Sequence, residues 1–406
     1  MTIKKTLLAI AISSAVIAPT VALAQSSVQI YGKLYPHLLN EEGSGASRVG
    51  TPVATFAASP TGVNAVGNTT GMVSGNSRIG FRGKEDLGGG LNAIFQLEGV
   101  AGIDNGSGAG AGGGFMFNRD TFVGLDGGFG TLRAGLVDTI FKNYGDTLGI
   151  LGVSSGTFMS SSDVLRKTGF GTSSASSFHL RRANSVQYET PEFNGVQAGL
   201  QYSTDEAKTA TRDPRVISMG LKYDNGPFYV ALAHELHHDL FGGSRNVSSS
   251  MRNNGASDPT RSKDRATQLT LEYRLNKNHK FEFDVIRKEY KENATVTGRF
   301  NSYENTASMV AMENRWSEQW RTAANYISSK AGSCGRVATT CSTDGLEGKK
   351  FTIGAAYYLS KRTLLFTTAS LIANGKSARH SNTEYGADPS PGEDIKHVAI
   401  GLSHSF

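Results

Sequence analysis

The stretch Val398-Ala399-Ile400-Gly401-Leu402-Ser403-His404-Ser405-Phe406 ends the chain with strict alternation. One face carries large apolar side chains with His404 among them, and the other face carries only alanine, glycine and serine. Because side chains alternate sides along a β-strand, this pattern predicts a strand with one apolar face that runs to Phe406. A barrel lodged in lipid needs such strands, since its outward residues meet hydrocarbon while its inward residues meet water.

The N-terminus has the features of a secretory signal peptide. Two lysines precede a mostly apolar run from Leu7 to Val16, and Ala22-Leu23-Ala24 fits a small-x-small cleavage site. The apolar run is shorter than the ~20 residues that a membrane-spanning helix needs. We therefore expect a signal peptide over residues 1–24 and a single transmembrane domain over residues 25–406.

Composition narrows the class of the remaining chain. No run of 18 apolar residues follows the leader, so we expect no transmembrane helix. The 49 glycines, ten prolines and 38% hydrophobic residues suit many short strands and turns, in either an exported soluble protein or an outer-membrane barrel. The formal charge of +6 becomes +4 when the two leader lysines are removed. This mild excess gives no reason to expect a nucleic-acid partner.

Period-two alternation predicts sixteen strands. A clear example is the row Val196, Ala198, Leu200 and Tyr202, which alternates with polar or small residues. The predicted strands cover residues 27–37, 77–84, 91–99, 117–125, 130–136, 183–190, 195–203, 215–223, 228–237, 265–274, 280–290, 305–315, 319–328, 349–359, 363–373 and 396–406.

The connections between these strands alternate between short and long. Tight turns such as Asp126-Gly127-Gly128 are followed by long polar connections. The long connections include residues 38–76, 137–182, 238–264 and 374–395. Bacterial outer-membrane barrels have short periplasmic turns and long external loops, whereas a β-sandwich or propeller has no reason to separate its loops in this way. The sequence therefore predicts an all-β, 16-stranded antiparallel transmembrane barrel.

Cys334 and Cys341 are the only cysteines of the chain. A polar, glycine-containing stretch separates them. In an exported protein we interpret the pair as a disulfide that closes one loop, because a metal site would need more ligands nearby.

Several motifs resemble one family. Ser77-Arg78-Ile79-Gly80-Phe81-Arg82-Gly83-Lys84-Glu85-Asp86-Leu87-Gly88, then Phe122-Val123-Gly124-Leu125, and the closing Gly401-Leu402-Ser403-His404-Ser405-Phe406 are similar, in this order, to Gram-negative general porins of the neisserial and burkholderial type. The resemblance implies a homotrimer, a third long loop folded into the pore, and a terminal Phe406 that serves as the signal for the outer-membrane assembly machinery. Leu136 and Ala183 depart from the family pattern.

Alternation also assigns residues to the pore. Ile79 and Phe81 point to lipid, which places the intervening arginines in the lumen, and Arg119 matches the family's pore-lining arginine by motif. The predicted basic wall consists of Arg78, Arg119, Arg181, Lys33, Arg82 and Arg133. The alternative is that these cations merely solvate a wet lumen or pair with inward Glu98 and Glu189.

The opposing wall is expected from the long connection 137–182. A connection of this length without its own periodicity is unusual unless it is functional. Its acids Asp146, Asp138 and Asp163 are candidates to face the arginines across the pore, with Asp146 the foremost, and the alternative is that they are ordinary loop acids.

His234-Glu235-Leu236-His237-His238 matches the His-Glu-x-x-His pattern of zinc proteases. That chemistry needs a helix, on which two histidines four residues apart share one face. The preceding residues alternate as a strand, along which four residues span ~13 Å. We therefore expect neither a catalytic zinc site nor catalytic residues, although incidental metal binding by His234 and His238 stays open.

These features predict a passive outer-membrane channel for small hydrophilic solutes, with a modest preference for anions. We expect no cofactor, and the expected partners are two further copies of the chain, membrane lipid and lipopolysaccharide, and the assembly machinery. Rival interpretations are a channel selective for an organic acid or sugar, a barrel-borne hydrolase and, more weakly, an adhesin.

Overall fold

A computed structural model describes residues 27–106, 117–145, 159–253 and 259–406. Nineteen β segments form one continuous antiparallel sheet. They are β1 (Ser27–Leu34), β2 (His37–Ser44), β3 (Asn68–Val73), β4 (Arg78–Gly88), β5 (Leu91–Val100), β6 (Thr121–Gly127), β7 (Gly130–Asp138), β8 (Arg181–Glu189), β9 (Val196–Thr204), β10 (Arg215–Asn225), β11 (Phe228–His238), β12 (Ser262–Asn276), β13 (His279–Glu292), β14 (Phe300–Arg315), β15 (Trp320–Ser329), β16 (Ser333–Arg336), β17 (Gly348–Tyr358), β18 (Thr363–Asn374) and β19 (Asp394–Ser405).

The nineteen segments make sixteen barrel strands, which confirms the predicted fold. β1 and β2 are two halves of the first strand, β3 and β4 of the second, and β15 and β16 of the thirteenth. The last segment, β19, pairs with β2 and with the end of β1, and this pairing closes the sheet into a barrel. Pro36 interrupts the first strand because it has no N–H to donate to the ladder.

Long loops lie at one end of the barrel and short turns at the other. The first loop spans residues 45–67 rather than the predicted 38–76, because β2 and β3 extend both strands beyond the alternating sequence. The third loop, named L3, spans residues 139–180, and the eighth, named L8, spans residues 375–393. A disulfide joins Cys334 to Cys341, whose Cα atoms are 5.8 Å apart.

The strands present apolar side chains outward. In β11, Phe228, Val230 and Leu232 are exposed while the alternate Tyr229 and Ala231 are buried inside the barrel. The same alternation of exposed and buried residues runs through β12, β17 and β19. None of the helices in the described parts of the chain is long and apolar enough to cross a membrane.

L3 folds into the barrel, as the resemblance implies. It contains the short helices α1 (Ile140–Tyr144) and α2 (Ser162–Leu165), and their apolar side chains are fully buried. Gly199 and Gly220 leave room for α1, because a Cβ at either position would lie 2.6 or 2.7 Å from the side chain of Ile140 or Tyr144.

Lysines on the barrel wall fix the far end of L3. Lys288 Nζ donates to the carbonyl oxygens of Leu165 and Lys167 at 2.8 and 2.9 Å. Lys350 Nζ donates to the carbonyl oxygen of Ser160 at 2.6 Å. Because these lysines are fully buried, their hydrogen bonds hold the loop against the wall formed by β13 and β17.

Candidate functional site

Glu98 on β5 is the centre of a group of charged side chains on the inner wall. Its carboxylate accepts a hydrogen bond from the Tyr31 hydroxyl at 3.0 Å, pairs with Arg119, and lies 3.6 Å from Arg78 Nε. Strand register places Gly80 between Tyr31 and Glu98, and the missing side chain lets the phenol reach across. The sequence thus brings two of the predicted basic residues to one acid.

Arg181 is the centre of a second group beside the first. Its guanidinium donates to Asp120 at 2.8 Å and to Asp138 at 2.9 Å. Asp138 also accepts from Lys142 of α1 at 2.8 Å, so the group extends from the wall onto L3. Burial lowers the pKa of the Lys142 amine, and the neighbouring Asp138 carboxylate opposes that shift.

The two groups form one alternating array, because Arg119 and Asp120 are consecutive and Arg119 and Arg181 both repel Arg78 electrostatically. The array, named the charge ladder, contains Arg78, Glu98, Arg119, Asp120, Arg181, Asp138 and Lys142.

Lys33 adds a further cation at the edge of the charge ladder. It lies directly opposite Arg78 in the strand register, and its ammonium group is 4.8 Å from the centre of the Tyr35 ring. Lys33 and the charge ladder together have five cations and three carboxylates, an excess of two positive charges. An array of this kind offers an anion more cationic partners than a cation finds anionic ones.

Arg82 and Arg133 lie apart from the charge ladder, towards the short turns. Arg82 is solvent-exposed although it faces inward, stacks 4.8 Å from the centre of the Tyr31 ring and donates to Gln29 at 2.9 Å. Arg133 pairs with Glu189, as the alternative interpretation proposed, and donates to Gln187 at 2.9 Å. The exposure of Arg82 indicates that this part of the lumen is open to solvent.

The two predicted pore-loop acids that the structure describes, Asp138 and Asp163, do not form one opposing wall. Asp138 is the last residue of β7 and lies beside Arg181, its register partner on β8, so it belongs to the same wall as the arginine. Asp163 is buried in α2 and pairs with Lys167 at 2.6 Å. Asp146 lies outside the described residues.

Sequence reasoning missed Asp120, which links the two groups of the charge ladder. Its only signal is its position directly after the motif arginine Arg119.

His234 and His238 lie on β11, which confirms the predicted strand, and His234 Nδ1 is 2.8 Å from the Thr267 hydroxyl. Within the described ranges, no cluster of three histidines, cysteines or carboxylates could hold a metal ion.

Comparison with known proteins identifies the family. A model of the Gram-negative porin family matches residues 9–377. Major outer membrane protein P.IB of Neisseria meningitidis serogroup B is 35% identical over 183 residues, which cover 44% of this chain and 48% of that protein. Outer membrane porin protein 32 of Delftia acidovorans is 34% identical over 246 residues, which cover 56% of this chain and 58% of that protein. The chain thus spans about half the length of the curated relatives it matches.

A solved structure shares the fold over nearly all of the chain. The anion-selective porin from Comamonas acidovorans superimposes with a TM-score of 0.70 at 22% identity and covers 94% of this chain and 100% of that one. The family match extends over most of the sequence, and the closed barrel has the expected strand number. The chain therefore belongs to the Gram-negative porin family, whose members are barrels of the bacterial outer membrane.

Proposed function

We propose that the protein is a passive diffusion channel for small hydrophilic solutes and ions, with a preference for anions. The observation that carries the proposal is the excess of two positive charges in Lys33 and the charge ladder. The Delftia relative is named a porin and the Comamonas structure an anion-selective porin, which agrees with this assignment. Porins are channels rather than enzymes, and the proposal gives no residue a catalytic role.

The charge ladder acts through fixed charges along one inner wall of the barrel and on the adjoining part of L3. Arg78, Arg119 and Arg181 attract an anion, and the carboxylates between them keep the guanidinium groups in place. One pair of unit charges at 4 Å is worth only ~1 kcal/mol in water, so selectivity is the result of several cations acting together. The resulting preference is modest and leaves the channel permeable to both ions.

The reversal potential in a planar bilayer under a potassium chloride gradient tests this proposal. The reversal potential of the wild-type channel should have the sign that indicates a higher permeability to chloride than to potassium. Arg181→Gln should lower the anion-to-cation permeability ratio by up to about fivefold, since Asp120 and Asp138 lose a neutralising cation. Arg287→Gln is the matched control, because Arg287 lies on the outer face and pairs with Glu304. A wild-type preference for cations would contradict the proposal.

We further propose how the chain is processed and assembled. Residues 1–24 are removed as a signal peptide, and residues 25–406 form one barrel domain with its long loops outside the cell. The barrel forms a homotrimer in contact with lipid and lipopolysaccharide after insertion by the assembly machinery, which reads Phe406. A trimer form of Vibrio cholerae OmpT, which shares the fold with a TM-score of 0.60, supports the trimer as an arrangement compatible with this fold. Cross-linking of the purified protein in detergent would detect it.

A further inference from the structure

Four loops meet in a recess at the end of the barrel that carries the long loops. The recess has a volume of about 520 Å³ and is formed by the first loop, L3, L8 and the loop between β11 and β12. Its floor contains Phe56 and Phe170, whose ring centres are 5.4 Å apart. Phe56 also packs on Phe300, the fully buried first residue of β14, with 4.8 Å between the ring centres. The recess therefore lies at the mouth of the barrel, and its described lining includes no member of the charge ladder.

Three arginines line the walls of this recess, which we name the mouth recess. Arg245 and Arg252 come from the loop between β11 and β12, and Arg379 comes from L8. None of them has a carboxylate within ion-pair distance among the residues that the structure describes. Asp388 is the one carboxylate in the described lining, and it accepts a hydrogen bond from Thr172 Oγ1 at 2.9 Å instead. The mouth recess thus has an excess of two positive charges.

Backbone carbonyl groups hold two of the arginines and leave part of each guanidinium for a ligand. Arg379 Nε donates to the Pro389 carbonyl oxygen at 2.6 Å, and Arg252 Nη2 donates to the Val247 carbonyl oxygen at 3.2 Å. A guanidinium has five N–H donors in a planar fork, so one bond does not use up either side chain. Arg245 is exposed at the rim. Such forks match a carboxylate, which accepts two parallel hydrogen bonds from one arginine.

Hydrogen bonds between the loops shape the mouth recess in the absence of a ligand. Asn246 Oδ1 accepts from the Ser173 N–H at 3.0 Å, and Asn246 Nδ2 donates to the Gly242 carbonyl oxygen at 2.9 Å. These bonds join L3 to the loop between β11 and β12, and the bond from Thr172 to Asp388 joins L3 to L8. A ligand therefore binds to loops that are already positioned, which lowers the entropic cost of binding.

The lining suits an anion with a flat apolar body. The volume of the mouth recess is typical of sites for small molecules. Phe56, Phe170 and Val247 offer apolar surface to a ring. Guanidinium groups stack on aromatic faces as well as pair with carboxylates, so an aromatic ring with two carboxylates can use several arginines at once. An inorganic anion would use the arginines but not the apolar floor.

We propose that the mouth recess binds aromatic dicarboxylates, whose two carboxylates pair with the arginines while the ring lies on the apolar floor. The inference rests on the proposed channel function, because it gives the preference for anions a substrate class. The bound dicarboxylate is held at the mouth of the barrel before it enters the lumen.

Isothermal titration calorimetry of the detergent-purified protein with benzene-1,3-dicarboxylate tests the proposal. Arg245→Gln/Arg379→Gln should weaken binding by about tenfold or more, because charge-assisted hydrogen bonds to the carboxylates are lost. Arg265→Gln/Arg287→Gln is the matched control, since both arginines are exposed on the outer face and paired with carboxylates there. The control should change binding by less than about twofold.

Heat-modifiable migration on gels shows whether each variant has folded. If the double variant does not fold, Arg245→Gln alone, at an exposed position, should still weaken binding by about threefold or more. Unchanged binding in the folded Arg245 variants, or an equal loss in the control, would overturn the assignment to the mouth recess.

Related ligands test the chemical class. Benzoate should bind about tenfold more weakly than the dicarboxylate, because it has one carboxylate fewer. Cyclohexane-1,3-dicarboxylate should bind about threefold more weakly, because it has no aromatic face for a guanidinium. Equal binding of all three, or displacement of the dicarboxylate by an equal concentration of inorganic phosphate, would overturn the proposed class. The reversal potential in potassium chloride is measured without these ligands, so failure of the channel proposal is distinguished from failure of the binding site.

Discussion

At the residue scale, Glu98 controls the charge of the ladder. Tyr31, Arg78 and Arg119 converge on its carboxylate, which is nearly buried. Glu98→Gln removes one of three negative charges and should therefore raise the anion-to-cation permeability ratio by up to about fivefold. It should also lower the free energy of unfolding by about 1–3 kcal/mol, because buried donors lose a charged acceptor. Reversal potentials and thermal unfolding measure the two effects.

Glu304→Gln is the control for this change. Glu304 lies on the outer face and is paired with Arg287, and both side chains are substantially exposed. An exposed pair of this kind contributes about 1 kcal/mol or less. Glu304→Gln should therefore leave the anion-to-cation permeability ratio unchanged and should lower the free energy of unfolding by no more than about 1 kcal/mol. An unchanged selectivity in Glu98→Gln would show that the charge ladder does not act on the permeating ions.

The sequence could predict some residues of the charge ladder but not their pairing. Alternation assigns Arg78 and Lys33 to the inner face, and the structure places them directly opposite each other. Alternation does not determine the pairing of residues beyond an irregularity, and here Asn184 has a φ of 52° and the register of β7 and β8 shifts between Gly135 and Val137. Pairing across this shift brings Arg181 beside Asp138, and a period-two count contains no signal for it.

At the scale of elements, the wall lysines hold L3 in the barrel. Lys350→Met removes the donor to the Ser160 carbonyl oxygen and should destabilise docking of this part of L3 by about 1–3 kcal/mol. The neighbouring Lys349 points outward and is exposed, so Lys349→Met is a control with the same change in charge and volume. Hydrogen exchange of residues 159–166 should accelerate only in Lys350→Met. Equal exchange in both variants would show that Lys350 does not anchor the loop.

Contact between L8 and L3 should depend on pH through His380. The His380 ring is buried, its Nδ1–H donates to the Asp163 carbonyl oxygen at 3.1 Å, and Nε2 has no hydrogen-bond partner among the described residues. Burial is the main cause that lowers the pKa of His380 from 6.5 to about 4, and Lys288 and Lys167 add repulsion while Asp163 opposes it. The neutral ring therefore stabilises the docked loop above pH 6.5, and this stability falls as the pH decreases towards 4.

At pH 5 the loss should be roughly 2 kcal/mol relative to pH 7. Hydrogen exchange of residues 375–393, corrected for the intrinsic effect of pH, measures it. His380→Gln cannot titrate in this range and should show little change between the two pH values. His234→Gln, on the outer face of β11, should keep the wild-type dependence. A wild-type loop that is equally protected at both pH values would contradict the assignment to His380.

Strand existence was easier to predict than strand extent. β2 and β3 extend the first hairpin beyond the predicted limits. The prediction missed this extension because one inward residue of β2 is the buried carboxylate Glu41, and an acidic residue does not resemble a core position. Inside this barrel Glu41 is satisfied by His397 Nε2 at 3.1 Å and by the Glu384 N–H at 2.8 Å. A local sequence pattern cannot predict partners that are so distant in sequence. The same holds for Lys288 and Lys350, which hold L3 against the wall.

At the scale of the whole molecule, Phe406 closes the sheet from the lipid side. Its backbone exchanges hydrogen bonds with Gly32 at 3.1 and 3.2 Å, and its ring lies over Gly32, where a Cβ would come within 2.5 Å of the ring. Lys33 points the opposite way into the lumen. Removal of the ring therefore should not alter the conductance of channels that form.

Two changes separate the roles of the Phe406 ring and backbone. Phe406→Ala keeps the hydrogen bonds to Gly32 and removes the ring, whereas deletion of Phe406 removes both. If the assembly machinery reads the ring, both variants should reach the outer membrane poorly in cells, while only the deletion should fold slowly in detergent. Heat-modifiable migration of the barrel on gels measures folding, and planar-bilayer recordings measure conductance. Normal assembly of both variants in cells would leave Phe406 with a purely structural role as a lipid-facing residue.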